Sequence, residues 1–293
     1  MDAQQYKVAL YGQGLFDSND NRKNVSQANE LADSGFNTLM LFSLHVHEQG
    51  QLYWGDHSIA ERGQITFRWK DEQQPSLPQL LARLREGGFT TIQFSIGSAD
   101  AADWAHIEQL LASQSGRQEL QRNFAAVAQW LSLDGFDFDC EEEVSDATIV
   151  TMTGILAQVG RRNIITYGVY GDQQRWLTRL QMVYATNGRQ LVDWWNLQLY
   201  AGGGGNDPAD WIKMLENSSE PIGVDDRAAF IVPGLATDEN GGPSGICDRL
   251  HDYAALRLTG AFVWNSGGVL ESSGSAREYG TAVVNGLSGQ PCG

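Results

Sequence analysis

The sequence predicts an α/β fold, a single (β/α)8 TIM barrel without a large insertion domain, and three observations carry that prediction. Short apolar runs rich in β-branched and aromatic residues alternate with amphipathic helical stretches along the whole chain. Eight such runs in 293 residues match the count and size of a barrel of eight βα units. A doubly wound sheet would alternate in the same way but needs a ligand crevice at its switch point, and no phosphate loop is present. The glycine run Gly202–Gly205 follows a strand but lacks both the Lys-Ser/Thr ending and the GxGxxG spacing, so it reads as a mobile or close-packed loop.

In order, the expected strands are Lys7–Tyr11, Thr38–Leu44, Thr91–Ile96, Gly135–Glu141, Asn163–Val169, Asp193–Tyr200, Ala228–Leu235 and Gly260–Asn265. Helical periodicity falls between them, at Val25–Ser34, Leu77–Glu86, Arg122–Ser132, Ala147–Val159, Pro208–Glu216 and Ile246–Leu256. The helix ending at Glu86 meets Gly87-Gly88, a C-terminal stop, and the one at Pro208 opens on Asn206-Asp207, a cap with proline in the first turn. Residues 48–71 form a long excursion after the second strand, with Gln51–Gly55 as one arm of a hairpin. No repeat beyond the βα period, no low-complexity segment and no linker divides the chain, so residues 1–293 read as one domain.

Residues 134–141, Asp-Gly-Phe-Asp-Phe-Asp-Cys-Glu, carry the functional signal. On a strand, Phe136, Phe138 and Cys140 face one way and Asp137, Asp139 and Glu141 the other. Same-face neighbours lie about 6.6 Å apart, so three acids converge with no counterion beside them. Such crowding raises carboxyl pKa values and lets an acid stay protonated near neutrality. A calcium loop would place polar residues between its acids; phenylalanine and cysteine there call for burial. The pattern is that of a strand lining a polar cavity while packing on helices.

Composition bounds the partners. A formal net charge of −16 disfavours nucleic acid and anionic membrane, which need clustered Lys and Arg. No run of about 18 apolar residues offers a membrane span. The start, Met1-Asp2-Ala3-Gln4-Gln5, lacks the basic and apolar regions of a signal peptide. Cys140, Cys247 and Cys292 fit no zinc spacing; Cys140 reads as buried and reduced, and a Cys247–Cys292 bridge is left open. His45 and His47 have the spacing of a metal pair without a third ligand and read as loop or cleft-rim residues, while Glu142 and Glu143 read as exposed at the cleft mouth. No cofactor or metal is called for, and the oligomeric state is not legible.

In a barrel the active site lies at the carboxyl ends of the strands. Glu141 falls there, with Tyr11 from the first strand, Ser95 and Ser98 from the third, Tyr167 or Tyr170 from the fifth, Gln198 and Tyr200 from the sixth, and Trp264 and Asn265 from the eighth. Trp194 and Trp195 are adjacent, so at most one can line the bowl. Aromatic rings, amides and three acids in one bowl suit a sugar, whose faces stack on flat rings while polar groups read its hydroxyls.

The octapeptide resembles the DGxDxDxE signature of glycoside hydrolase family 18, the chitinases and endo-β-N-acetylglucosaminidases, with Asp134, Gly135, Asp137, Asp139 and Glu141 at its fixed positions. Ser95-Ile96-Gly97-Ser98 resembles the family's SxGG segment with Ser98 for the last glycine. Gln198-Leu199-Tyr200 resembles the sixth-strand segment that supplies a tyrosine, and Phe262-Val263-Trp264 the last strand with its floor tryptophan. The resemblance implies retaining hydrolysis in which the substrate's own N-acetyl oxygen is the nucleophile. It assigns Glu141 as general acid and then base, and Asp139 as the group that orients the acetamide N–H and stabilises the oxazolinium. Asp137 would share a proton with Asp139, Tyr200 would hold the acetamide oxygen, and Trp264 would support the distorted ring. Gln198, Tyr11, Ser95 and Asn265 are the further substrate-binding candidates, and Asp134 is expected to be structural.

Two departures from the family pattern bear on substrate. Chitinases often carry Asp or Asn after the sixth-strand tyrosine, where this chain has Ala201, followed by Gly202–Gly205. Residues 236–245 leave no room for the additional α+β lobe of many bacterial chitinases, so the cleft is expected to be shallow and open. The partner implied is chitin or another N-acetylglucosamine-containing glycan; the place of action is read as extracellular, by a route other than a visible signal peptide, with a cytoplasmic one as the alternative. An endo-acting chitinase is the first reading, an endo-β-N-acetylglucosaminidase cutting the chitobiose core of N-glycans the second, and a non-catalytic lectin the third.

Overall fold

In the computed structural model, which describes residues 6–17, 20–68 and 75–292, eight parallel strands close on themselves. In chain order the strands are β1 (Lys7–Gly12), β2 (Thr38–Val46), β3 (Leu52–Trp54), β4 (His57–Glu61), β5 (Gln64–Ile65), β6 (Thr91–Ile96), β7 (Gly135–Phe138), β8 (Ile164–Val169), β9 (Trp194–Gln198), β10 (Ile231–Ala236) and β11 (Gly260–Trp264). Parallel pairing runs β1-β2-β6-β7-β8-β9-β10-β11, and β11 pairs back to β1, with Val8 opposite Ala261 and Leu10 opposite Val263. The barrel is a single (β/α)8 unit, and the antiparallel strands β3 to β5 stand on the end of β2 as the expected excursion. Met1–Gln5 and the end of that excursion, residues 69–71, lie outside the described residues.

The period of two decides which side chains fill the barrel. Along β7, Phe136 and Phe138 point outward, the first against Phe124 with ring centroids 5.2 Å apart and the second against Trp104 at 4.9 Å. Along β9, Trp195 packs outward on Trp211, while Asn196 turns inward to the acids of β7. Trp194 is buried, and its indole N–H donates to Asn196 Oδ1, so neither tryptophan lines the cavity. Helices follow the barrel strands, and several are started by local caps. Ser145 caps Asp146–Leu156, Asp172 caps Gln173–Asn187, and Ser275 with Glu278 forms a capping box on Ala276–Ser288.

Several expected boundaries shift. The fourth ladder ends at Phe138 rather than Glu141, because its neighbour β6 ends at Ile96 and turns away at Gly97. Gly97 has φ +94, and a Cβ there would lie 2.4 Å from the Asp139 carbonyl, so the turn requires glycine. Ala228–Phe230 belong to a short helix capped by Asp226, not to the seventh strand, which begins at Ile231. The helix Gln173–Asn187 escapes the apolar periodicity because polar residues such as Arg179 occupy its buried face.

Cys247 and Cys292 are joined by a disulfide that ties the chain's end to the helix Pro243–His251 across a separation of 45 residues, while Cys140 is free and buried. A loop of that size constrains the unfolded chain by about 4 kcal/mol. Cys247→Ser with Cys292→Ser is therefore expected to lower the urea midpoint, with a slope that rises as the unfolded chain expands; an unchanged midpoint would mean that the bridge does not contribute.

Candidate active site

The strand alternation carries past the last ladder pair, because the Asp139 N–H still donates to the Ile96 carbonyl at 2.9 Å. Asp137 and Asp139 thus share the inward face, and Glu141 emerges two residues later, largely exposed at the mouth. Asp137 is fully buried and caged by four donors. Its Oδ2 accepts from the hydroxyls of Tyr11 at 2.8 Å and Ser95 at 2.7 Å; its Oδ1 accepts from the Thr166 hydroxyl at 2.6 Å and the Asn196 amide at 3.0 Å. Burial pushes the Asp137 carboxyl above the usual range, and those four bonds pull against it.

Asp139 has a sparser shell. Its Oδ1 accepts from the Gln198 amide at 3.2 Å, and burial together with the Glu141 and Asp137 charges drives its carboxyl well above the usual range. Glu141 is raised mainly by partial desolvation; its Oε2 is 3.4 Å from the Tyr170 hydroxyl, a bond that works in the opposite direction. Two neighbouring carboxyls whose environments favour the protonated form are suited to hold a proton between them near neutral pH. Room for Asp139 comes from Gly168, where a Cβ would sit 3.1 Å from Asp139 Oδ1. Gly168→Ala is expected to displace that carboxyl and lower kcat by about 100-fold with little change in melting temperature; equal losses of stability and rate would instead mark a folding defect.

Asp139, Glu141 and Trp264 line a cavity of about 920 Å³. Tyr200 stacks on Trp264 with centroids 5.7 Å apart at 20°, Tyr11 lies at 5.5 Å, and Phe42 meets it edge-on at 4.9 Å. Three rings therefore fix the orientation of the half-buried indole. The peptide bonds Phe42–Ser43 and Trp264–Asn265 are cis. One wall is built by the β3 to β5 excursion, through Trp54, Asp56, His57 and Phe67, so the cleft is deep on that side and not uniformly shallow. A short turn, Ala201–Gly203, follows β9, and Pro243–His251 follows β10 without an intervening lobe.

The residues singled out from the sequence divide by depth. Asp139, Glu141 and Trp264 line the cavity, and Gln198 reaches it through Asp139. Tyr11 and Ser95 lie beneath the cavity as donors to Asp137, so direct contact with a ligand, expected for both, is replaced by support of the acid. Asn265 caps the helix Ser266–Glu271 through Gly268 and donates to Gln13 Oε1 at 2.7 Å, which engages both ends of its amide. Tyr200 is buried, and its phenol is held far above the usual range by burial and by Asp139. Of the two fifth-strand tyrosines, Tyr167 faces outward to Thr153 and Tyr170 reaches Glu141. Both oxygens of Asp137 accept from other donors, and its charge adds to what raises Asp139.

Glu142 takes another place than expected, Asp134 holds a structural one, and the two histidines part. Glu142 is half-buried, and its two oxygens accept the backbone N–H groups of Trp104 and Ala105, both at 2.9 Å, capping the helix Asp103–Leu111. Asp134 is fully buried and paired with Arg85 at 2.8 Å at the opposite end of the barrel. His47 stacks on Tyr53, whereas His45 turns into the cavity, bonded to Asp103 and Ser43. Thr166 and Asn196, missing from the sequence reading, share the inward register with Gly168 and Gln198 two residues on, and that alternation was the signal for them.

The fold matches solved structures. A fungal endo-β-N-acetylglucosaminidase from glycosyl hydrolase family 18 superposes with a TM-score of 0.69 at 18% identity, covering 96% of this chain and 98% of that one. The chitinase ChiC from Aspergillus fumigatus gives 0.61 at 19% identity over 89% and 91%, and a chitinase from Bacteroides thetaiotaomicron 0.64 at 14% over 96% of each. No protein-family profile and no curated protein matches the chain. At these identities the likeness shows a shared barrel over nearly the full length.

Proposed function

We propose that this chain belongs to glycoside hydrolase family 18 and cleaves the β-1,4 bond between N-acetylglucosamine units by retaining, substrate-assisted catalysis. The observation that carries the reading is the pair Asp139 and Glu141, both biased toward the protonated form, opening over a braced tryptophan in a cavity of about 920 Å³. Glu141 at the mouth donates its proton to the leaving oxygen and then activates water. Asp139, deeper and anchored by Gln198, orients the acetamide N–H of the sugar on Trp264, so that the acetamide oxygen attacks the anomeric carbon. The Asp137 cage fixes the charge behind Asp139. Tyr200, stacked on Trp264 beside the acids, holds the acetamide oxygen in line.

Chitin oligomers are the substrate of the first reading. A second, cleavage of the chitobiose core of N-glycans, is favoured by Ala201 and the glycines after it, which leave the rim open to a branched chain. The disulfide supports action in an oxidising, extracellular setting. Mass spectrometry after incubation with chitohexaose, with Glu141→Gln alongside, tests the proposal. Shorter oligomers from the wild type alone are expected; intact hexamer moves the test to a high-mannose glycoprotein. Failure to cleave either, with binding retained, would leave a lectin.

A further inference from the structure

β2 carries a second chain of polar contacts that the acids of β7 do not use. Ser43 and His45 alternate onto one face at its end, and both line the cavity. His45 Nδ1 lies 2.9 Å from Asp103 Oδ2, and its Nε2 lies 3.1 Å from Ser43 Oγ. Asp103 opens the helix Asp103–Leu111, is buried, and accepts the Val46 N–H at 2.6 Å on its other oxygen. Both ring nitrogens of His45 are therefore occupied, and the imidazole meets a ligand through Ser43.

Protonation of the ring sets what Ser43 offers. As a carboxylate Asp103 accepts only, so Nδ1 keeps its hydrogen in both states. With the ring charged, Nε2–H donates to Ser43 Oγ and the serine hydrogen turns to the cavity. With the ring neutral, Nε2 takes the serine hydrogen and the cavity sees lone pairs alone. The bond to Asp103 favours the charged ring and holds His45 above its ordinary value, against the effect of burial.

We propose that Ser43, positioned by His45 and Asp103, donates a hydrogen bond to the carbonyl oxygen of an N-acetyl group on a sugar next to the one cleaved, and does so only while His45 is charged. This rests on the glycan-hydrolase reading above. A carbonyl accepts and never donates, so it matches the charged state and is mismatched by the neutral one, whereas a sugar hydroxyl meets either. Successive β-1,4-linked sugars are turned over, so neighbouring acetamides leave the chain on opposite sides. Asp139 and Tyr200 follow β7 and β9, whereas Ser43 lies on β2, across the barrel from β9, and lines the same cavity as Asp139 and Trp264.

Binding of chitotetraose to Glu141→Gln combined with Asp139→Asn, which removes the two acids of this cavity that would titrate over the same range, followed by tryptophan fluorescence at about pH 5 and about pH 9, on either side of the ordinary imidazole value, tests this without turnover. The parent is expected to bind about tenfold tighter at the lower pH. Ser43→Ala and His45→Gln in that background should bind with no pH dependence. Beside Asp139 and Glu141, both replaced by amides in this background, the titratable groups facing this corner are Asp17, Asp56 and His57 across the cavity, and Asp103 and His106 on the adjoining helix. His57→Asn should keep the pH ratio. A purely structural role for the relay would weaken binding equally at both pH values and overturn the proposal, as would a pH ratio surviving in Ser43→Ala or vanishing in His57→Asn. Absence of binding by the parent at either pH would overturn the glycan reading and the proposal with it.

Discussion

Glu141→Gln is expected to lower kcat on N-acetylglucosamine oligomers by about 10²–10⁴-fold while the melting temperature stays within a degree or two of the parent. The side chain stands largely exposed at the mouth and meets only polar partners that an amide can also bond, Tyr170 at 3.4 Å and Gln198, so an isosteric amide costs the fold little. What is lost is a proton that can be given to the leaving oxygen and later taken from water. The pH profile should change with it. In the parent, partial desolvation holds Glu141 protonated above the usual glutamate range, so activity falls on the alkaline side as the proton leaves. In Glu141→Gln the residual rate should lose that limb. Retention of near-normal turnover, measured by reducing-end release, would rule out a carboxyl acid at this position.

Asp139→Asn should lower kcat by about 10²–10³-fold and leave KM within a few-fold. The carboxylate is deep, anchored by Gln198, and close enough to Glu141 that each charge opposes the other. An amide still fits beside Gly168 and still orients an acetamide, so ground-state binding survives. It carries no charge to oppose the positive charge that develops on the substrate, and the loss is therefore concentrated in the transition state. Because the two acids titrate as a pair, removing the Asp139 charge favours ionised Glu141. The alkaline limb of kcat should then move to lower pH. A change confined to KM would contradict the role given to Asp139.

The alternation in residues 134–141 was enough to set the inward acids, since a side-chain period of two holds whatever the neighbouring strands do. The eight-fold βα rhythm likewise fixed the barrel, because parallel strands buried on both faces must be apolar runs and must return by helices. Boundaries were less legible. Glu141 reads as the end of a strand, yet pairing stops at Phe138 because the partner strand turns at Gly97, and partner length is not written in the fourth strand itself. Tyr11, Ser95 and Asn265 are polar or aromatic at strand ends, which the sequence reads as ligand contacts; depth in the barrel makes two of them supports for Asp137 and the third a helix cap.

The sequence by itself determined the barrel, the inward row of acids and the tryptophan at the last strand end, all consequences of local periodicity and residue chemistry. Only the tertiary structure decided which carboxyl is saturated with donors, that the excursion after β2 walls one side of the cavity, that Glu142 caps a helix, and that His45 reaches Asp103 and Ser43. Those outcomes depend on contacts between residues far apart in the chain, such as Tyr11 with Asp137 and Asn196 with Asp137, and distances of that kind are set by closure of the barrel rather than by any local pattern.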